Sequence, residues 1–349
     1  MTSSRCCGEL EADRQAVVAQ AGRDAHCRHA GEVGRNGGDV DGVHGHRVLG
    51  LLAELEGGDR AGRADEHVDL FEGLLEVVDD QGADFLRGAV PGIVVAGGQG
   101  VGAEDDTTLD FVAEAESGWD FNPRYDRRCT DFCPLDLNAN LFMYEVNFAR
   151  FAQELGRTDE IREWIAKAEL RRARILEYCY DPEAKQFYDY DYVNGRRSDV
   201  LSGAVFSLLY TGAVPREYAG DIVQALVRLE FPYGIAACED KPYDYPYQWS
   251  YPNTWPPVCF YAVMGLARYG YGKEAERIAV KWMKAVTESF KTTGNLWEKY
   301  NVETGTTDVS NEYEMPAMLG WTAGTFICLD DYLAGEMQPD PLPSEYMSY

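Results

Sequence analysis

Residues 1–105 contain no Lys, no Tyr and no Trp, and their only phenyl rings are Phe71 and Phe85. From residue 106 onward the missing type is histidine, because His26, His29, His44, His46 and His67 all lie in the first part. Twenty of the 35 Gly also fall within residues 1–105, so that part has little to bury against the entropy it would lose on ordering. Only the words VLGLLAELE and VDLFEGLLEVV in it carry helix-like apolar spacing. So sharp a break predicts a boundary near residue 105 and a different origin for what precedes it. That origin is either translation of the wrong frame or strand of a GC-rich gene, or a genuine low-complexity extension. HCRH at 26–29 has the residue types of a metal cluster but sits in this segment, and no role is assigned to it.

Basic residues are also scarce. With 32 Lys and Arg against 59 Asp and Glu, the net charge of -27 leaves no basic face to displace the counterions of a nucleic acid. No apolar run spans a bilayer, and MTSSRCCGEL lacks the apolar core of a signal peptide, so a soluble, cytoplasmic chain without membrane or nucleic-acid partners is expected. The nine Cys are odd in number and scattered, which argues against a disulfide framework. Cys129 and Cys133 have no second Cys pair or nearby His to complete a zinc set. Neither a metal nor an organic cofactor is expected.

What is present from residue 106 is regular. LDLNANLFMYEVNFARFAQELG carries apolar residues at helical spacing and closes on Gly156, and TDEIREWIAKAELRRARILEYCYD opens on Thr158 as an N-cap. KQFYDYDYVNGRRSD, with an Asn194-Gly195 turn, predicts a short β-hairpin. Further helices are expected at 198–211, 215–229, 256–270, 272–290 and 317–334, which makes seven in paired succession. No word recurs at fixed period, so a solenoid is disfavoured. The reading is an all-α chain organised as an incomplete α/α toroid over 106–335, with a tail at 336–349 and loops gathered around a cup.

Five of those loops, ESGWDFNPRY, QFYDYDY, YQWSYPNTWPP, GNLWEKYN and NEYEMPAMLGW, combine Trp or Tyr with acids and amides. Sugars are bound this way, the ring stacking on C–H faces while acids and amides take the hydroxyls. Asp120 lies between Trp119 and Phe121, an apolar wrapper that would keep a proton on the acid; a helix cap flanked by packing rings fits the same words. Glu298 lies between Trp297 and Lys299, where a cation would favour the ionised form. A protonated and an ionised carboxyl roughly 6.5–9.5 Å apart are what acetal hydrolysis with inversion requires.

In order and approximate spacing, AESGWDFNPRY, YQWSYPNTWPP, LWEKYN and NEYEMPAMLGWTAG resemble the segments of the trehalase family of inverting glycosidases, whose catalytic domain is an (α/α)6 barrel. The resemblance implies Asp120 as general acid and Glu298 as general base. It also implies Trp119, Arg124, Gln248, Trp249, Asn253, Trp255 and Glu312 as substrate-binding residues, with α,α-trehalose, a small disaccharide, as substrate and no cofactor. The family's Asp after Gln-Trp is Ser250 here, the glycine run before Glu312 is reduced to TTDVSN, and Pro-Gly-Gly-Arg-Phe is absent from residues 1–105. Those departures predict weak or no activity for this chain, and leave two alternatives: an (α/α)6 α-glucosidase acting on another glucoside, or a non-catalytic sugar-binding remnant.

Overall fold

The computed structural model describes residues 106–309, 313–317 and 320–343, all within one of the chain's two units. The expectations for residues 1–105, including HCRH, and for the tail beyond residue 343 lie outside the described residues. Nine α-helices follow one another among the described residues: α1 Asp106–Glu116, α2 Leu135–Glu154, α3 Thr158–Arg174, α4 Val205–Thr211, α5 Ala219–Val223, α6 Leu226–Leu229, α7 Pro256–Arg268, α8 Gly272–Thr293 and α9 Gly320–Ala334. The fold is mostly helical, and the described residues do not close a barrel. None of these helices is long and apolar enough to cross a membrane.

The long helices lie where apolar spacing predicts them. α8 buries Ala275, Ile278, Ala279, Trp282, Met283 and Val286, an i, i+3, i+4 face, against α7. α2 and α3 form an antiparallel pair fastened by the Phe148 and Trp164 rings, with centroids 4.7 Å apart, and by Arg171 donating to both Glu145 and Asn138. α7 packs on α4, with Tyr210 of α4 against Phe260 and Tyr261.

The shorter elements differ from expectation. Thr158 is the first helical residue of α3 and makes no cap; Arg157 precedes it without a side-chain cap bond. The helix expected at 198–211 begins only at Val205, because Ser202 bridges Cys238 and Gly203 N–H donates to Ala237. The 215–229 helix is divided into a 3-10 turn at Arg216–Tyr218 followed by α5 and α6. The stretch read as one hairpin serves two: β2 Tyr180–Asp181 pairs with β3 Gln186–Phe187, while β4 Tyr190–Asp191 pairs with β5 Arg196–Arg197 across the Asn194-Gly195 turn. β4 also pairs with β1 Phe132–Cys133, which draws the Asp120 side of the chain onto this hairpin. Two further antiparallel pairs are formed among the described residues, the hairpin of β6 Glu230–Phe231 with β7 Gly234–Ile235 and the long-range pair of β8 Asn253–Thr254 with β9 Tyr300–Asn301.

Candidate active site

The loop after α1 carries Asp120, and it is shaped from beneath by a buried carboxyl. Glu114 of α1 accepts from the Asn122 backbone N–H at 2.7 Å and from its Nδ2 at 3.1 Å, while Asn122 Oδ1 accepts from the Arg124 N–H at 2.9 Å. Phe121 is forced to φ 56°, a left-handed conformation costly for a ring-bearing residue, so the neighbouring contacts must hold it there. Its ring meets Phe111 edge-on at 5.3 Å, and its carbonyl accepts from the Trp249 N–H at 3.2 Å.

Asp120 itself is half-buried, and its wrapper is not the apolar one expected. Gln248 Nε2 donates to Oδ2 at 2.8 Å and Trp249 Nε1 to Oδ1 at 3.2 Å. Trp119 faces Trp249 at 4.9 Å instead of covering the acid. The rings flanking Asp120 in sequence thus brace its loop, and the groups that touch its carboxyl come from a segment more than a hundred residues away.

That segment is itself rigid. Gln248 is fully buried, and its backbone oxygen accepts from Asn253 Nδ2 at 2.7 Å and Trp255 Nε1 at 3.1 Å. Trp249 and Trp255 stack face to face with centroids 3.9 Å apart and 3° between planes. Pairing of β8 with β9 then ties this loop to the one bearing Glu298, with Asn253 opposite Asn301 and Thr254 opposite Tyr300.

Glu298 is 6% exposed. Lys299 Nζ donates to its Oε2 at 2.8 Å, as the sequence neighbourhood predicts, and Tyr313 OH donates to Oε1 at 2.7 Å. Trp321 Nε1 caps the Glu298 carbonyl at 3.2 Å. Lys299 is buried between the faces of Trp255, at 4.5 Å, and Tyr313, at 5.0 Å, and also donates to Gln248 Oε1 at 3.3 Å. Asp120, Gln248, Lys299 and Glu298 therefore form one continuous relay.

Several residues expected to touch substrate are placed differently. Arg124 has no exposed side-chain surface: it grips Asp189 through Nε at 2.9 Å and Nη2 at 2.7 Å, and Asp136 through Nη2 at 2.7 Å. Burial lowers its pKa, but Asp136 and Asp189 together outweigh that and hold it raised, and its role here is to lock the Asp120 loop onto α2 and the segment between β3 and β4. Trp249, Trp255 and Asn253 are buried and serve the loop, as does Trp119. The rings left open beside Glu298 are Tyr313, 45% exposed, and Trp321, 36% exposed. Neither was singled out from sequence, although both sit in the NEYEMPAMLGW word; which loop aromatic faces outward depends on tertiary packing. Glu114 and Asn122 were missed as well, since their pairing shows only once α1 and the loop fold back. Glu312 lies outside the described residues.

The trehalase family pattern matches residues 101–333, two thirds of the chain. The chain belongs to the trehalase family. It is 33% identical over 219 residues to a probable trehalase of Eremothecium gossypii, covering 58% of this chain and 30% of that protein. Its fold is similar to that of neutral trehalase Nth1 from Saccharomyces cerevisiae, with a TM-score of 0.58 and 26% identity, over 86% of this chain and 52% of that one. The chain thus spans under a third of the first relative's length and about half of the second's. Membership in the trehalase family, with the fold it brings, supports a glycoside hydrolase.

Proposed function

We propose that this chain carries the acid and base of an inverting glycosidase, with α,α-trehalose as substrate. The observation that supports it most is the convergence of Asp120 and Glu298, remote in sequence, on the relay made by Gln248 and Lys299. Each oxygen of Asp120 that accepts an N–H keeps a second lone pair, so the acid can carry a proton toward the glycosidic oxygen while it stays oriented. As that C–O bond lengthens, Asp120 gives its proton to the leaving glucose. Glu298 takes a proton from water, whose oxygen attacks the anomeric carbon from the opposite face. The products are one glucose released as the α-anomer and one formed as the β-anomer.

Direct observation of both anomers by proton NMR during trehalose hydrolysis tests this reading. Asp120→Asn and Glu298→Gln are each expected to lower turnover by about a hundredfold or more. Retention of activity in both would sink the assignment. Turnover by the chain as it stands is expected to be weak, because residues 1–105 lack the Pro-Gly-Gly-Arg-Phe segment whose arginine would grip substrate against the two carboxyls. A second reading, an α-glucosidase for another glucoside, is favoured by Ser250: a buried neutral hydroxyl beside Tyr243 stands where the family has an acid. A panel of disaccharides separates the two.

A further inference from the structure

We propose that Gln248 couples the two carboxyls, so that proton uptake at Glu298 strengthens the hydrogen bond that Asp120 receives as it releases its own proton. The inference rests on the assignment of Asp120 and Glu298 as acid and base. It begins from the polarity of one buried amide. Lys299 Nζ can only donate, so the group facing it at 3.3 Å must be Oε1, which turns Nε2 toward Asp120 at 2.8 Å. The flipped amide would set N–H against ammonium and oxygen against carboxylate, two repulsions around a side chain with no exposed surface.

The backbone of Gln248 is pinned by Asn253 and Trp255, and its buried amide is held on this line by its own bonds to Asp120 and Lys299. The charged or titratable groups around it are Asp120 on the loop after α1, Lys299 and Glu298 before β9, and Tyr313, whose hydroxyl donates to Glu298 and also meets the Gln248 amide. While Glu298 is ionised it holds the Lys299 charge at 2.8 Å. When it accepts a proton that attraction is lost, and the ammonium polarises Gln248 more strongly. An amide whose oxygen is bound by a cation is a better N–H donor, and a stronger donor at Asp120 favours its ionised form. Lys299 and Gln248 are thus positioning residues that make the acid's proton release easier once the base has taken its proton.

The side-chain 15N resonance of Gln248 reads this directly in the full chain labelled at glutamine, assigned by its loss in Gln248→Met. The expected result is a signal that moves in two steps as pH is varied. Asp120→Asn removes one step and Glu298→Gln the other, while Lys299→Met removes only the Glu298 step. A resonance in Lys299→Met that keeps both steps overturns the proposal. Should Lys299→Met not fold, the Glu298→Gln protein decides: a titration unchanged from the parent overturns the coupling, and one missing step upholds it. Glucose release by the parent chain tests the acid and base assignment and the resonance tests the coupling, so the two can fail separately.

Discussion

Glu114 is the buried carboxyl on which the loop of the candidate acid hangs, and its environment makes that loop sensitive to pH. Burial pushes its pKa up to about 7, opposed by the Asn122 backbone N–H and the Arg124 charge and reinforced by Asp120 and Asp110. Because the folded chain holds this proton to higher pH than the unfolded chain does, folding gains stability from it at low pH. That gain is lost as pH rises from the ordinary carboxylate range through about 7. The melting temperature is therefore expected to fall between pH 5 and pH 8, by an amount on the order of 3 kcal/mol of stability for this one group. Glu114→Gln should flatten that part of the curve, and a slope identical to the parent's would show that another group sets it. Cys129 in the same corner is inert for a related reason, since burial raises its thiol far above the physiological range.

Helix pairing depends on where one element allows another to approach. At Gly265 of α7 a Cβ would lie 2.8 Å from both Leu209 Cβ and the Tyr210 backbone nitrogen of α4. The backbone nitrogen cannot move aside without shifting α4 itself, so Gly265→Ala is expected to destabilise by about 1–3 kcal/mol despite the better helix propensity of alanine. Thermal melting checks it; an unchanged or raised midpoint would mean that α4 slides freely on α7. The loop of Asp120 is fastened in a different manner, by the Arg124 pairs to Asp136 and Asp189. Arg124→Met leaves two carboxylates without their cation and is expected to cost about 3–5 kcal/mol. Double substitution with Asp189→Asn should recover part of the loss, measured by denaturant unfolding.

Across the whole molecule the net charge of -27 opposes compaction. Ion pairs at the surface, such as Lys167 with Glu163, are each worth only about 0–1 kcal/mol, so screening gains more by weakening repulsion than it loses by weakening them. Raising the ionic strength from 0.01 to 0.15 M shortens the Debye length from about 30 to about 8 Å. The melting temperature should rise over that interval, and a fall would indicate that attractive pairs dominate.

Periodicity alone determined the long helices, since α7 and α8 bury a face that recurs every three to four residues, and the Asn194-Gly195 turn marked β4 and β5 for the same local reason. The broken run from α4 to α6 was less legible because long-range bonds from Ser202 and Gly203 override helix formation there. The words around Asp120 and Glu298 identified the family. Only the tertiary structure decided what surrounds them. It buried Trp249 and Trp255 as a stack, turned Arg124 inward, opened Tyr313 and Trp321, and set Gln248 and Lys299 between Asp120 and Glu298. Helices form from neighbours in sequence, whereas a buried charge or amide takes its partners from wherever the fold delivers them.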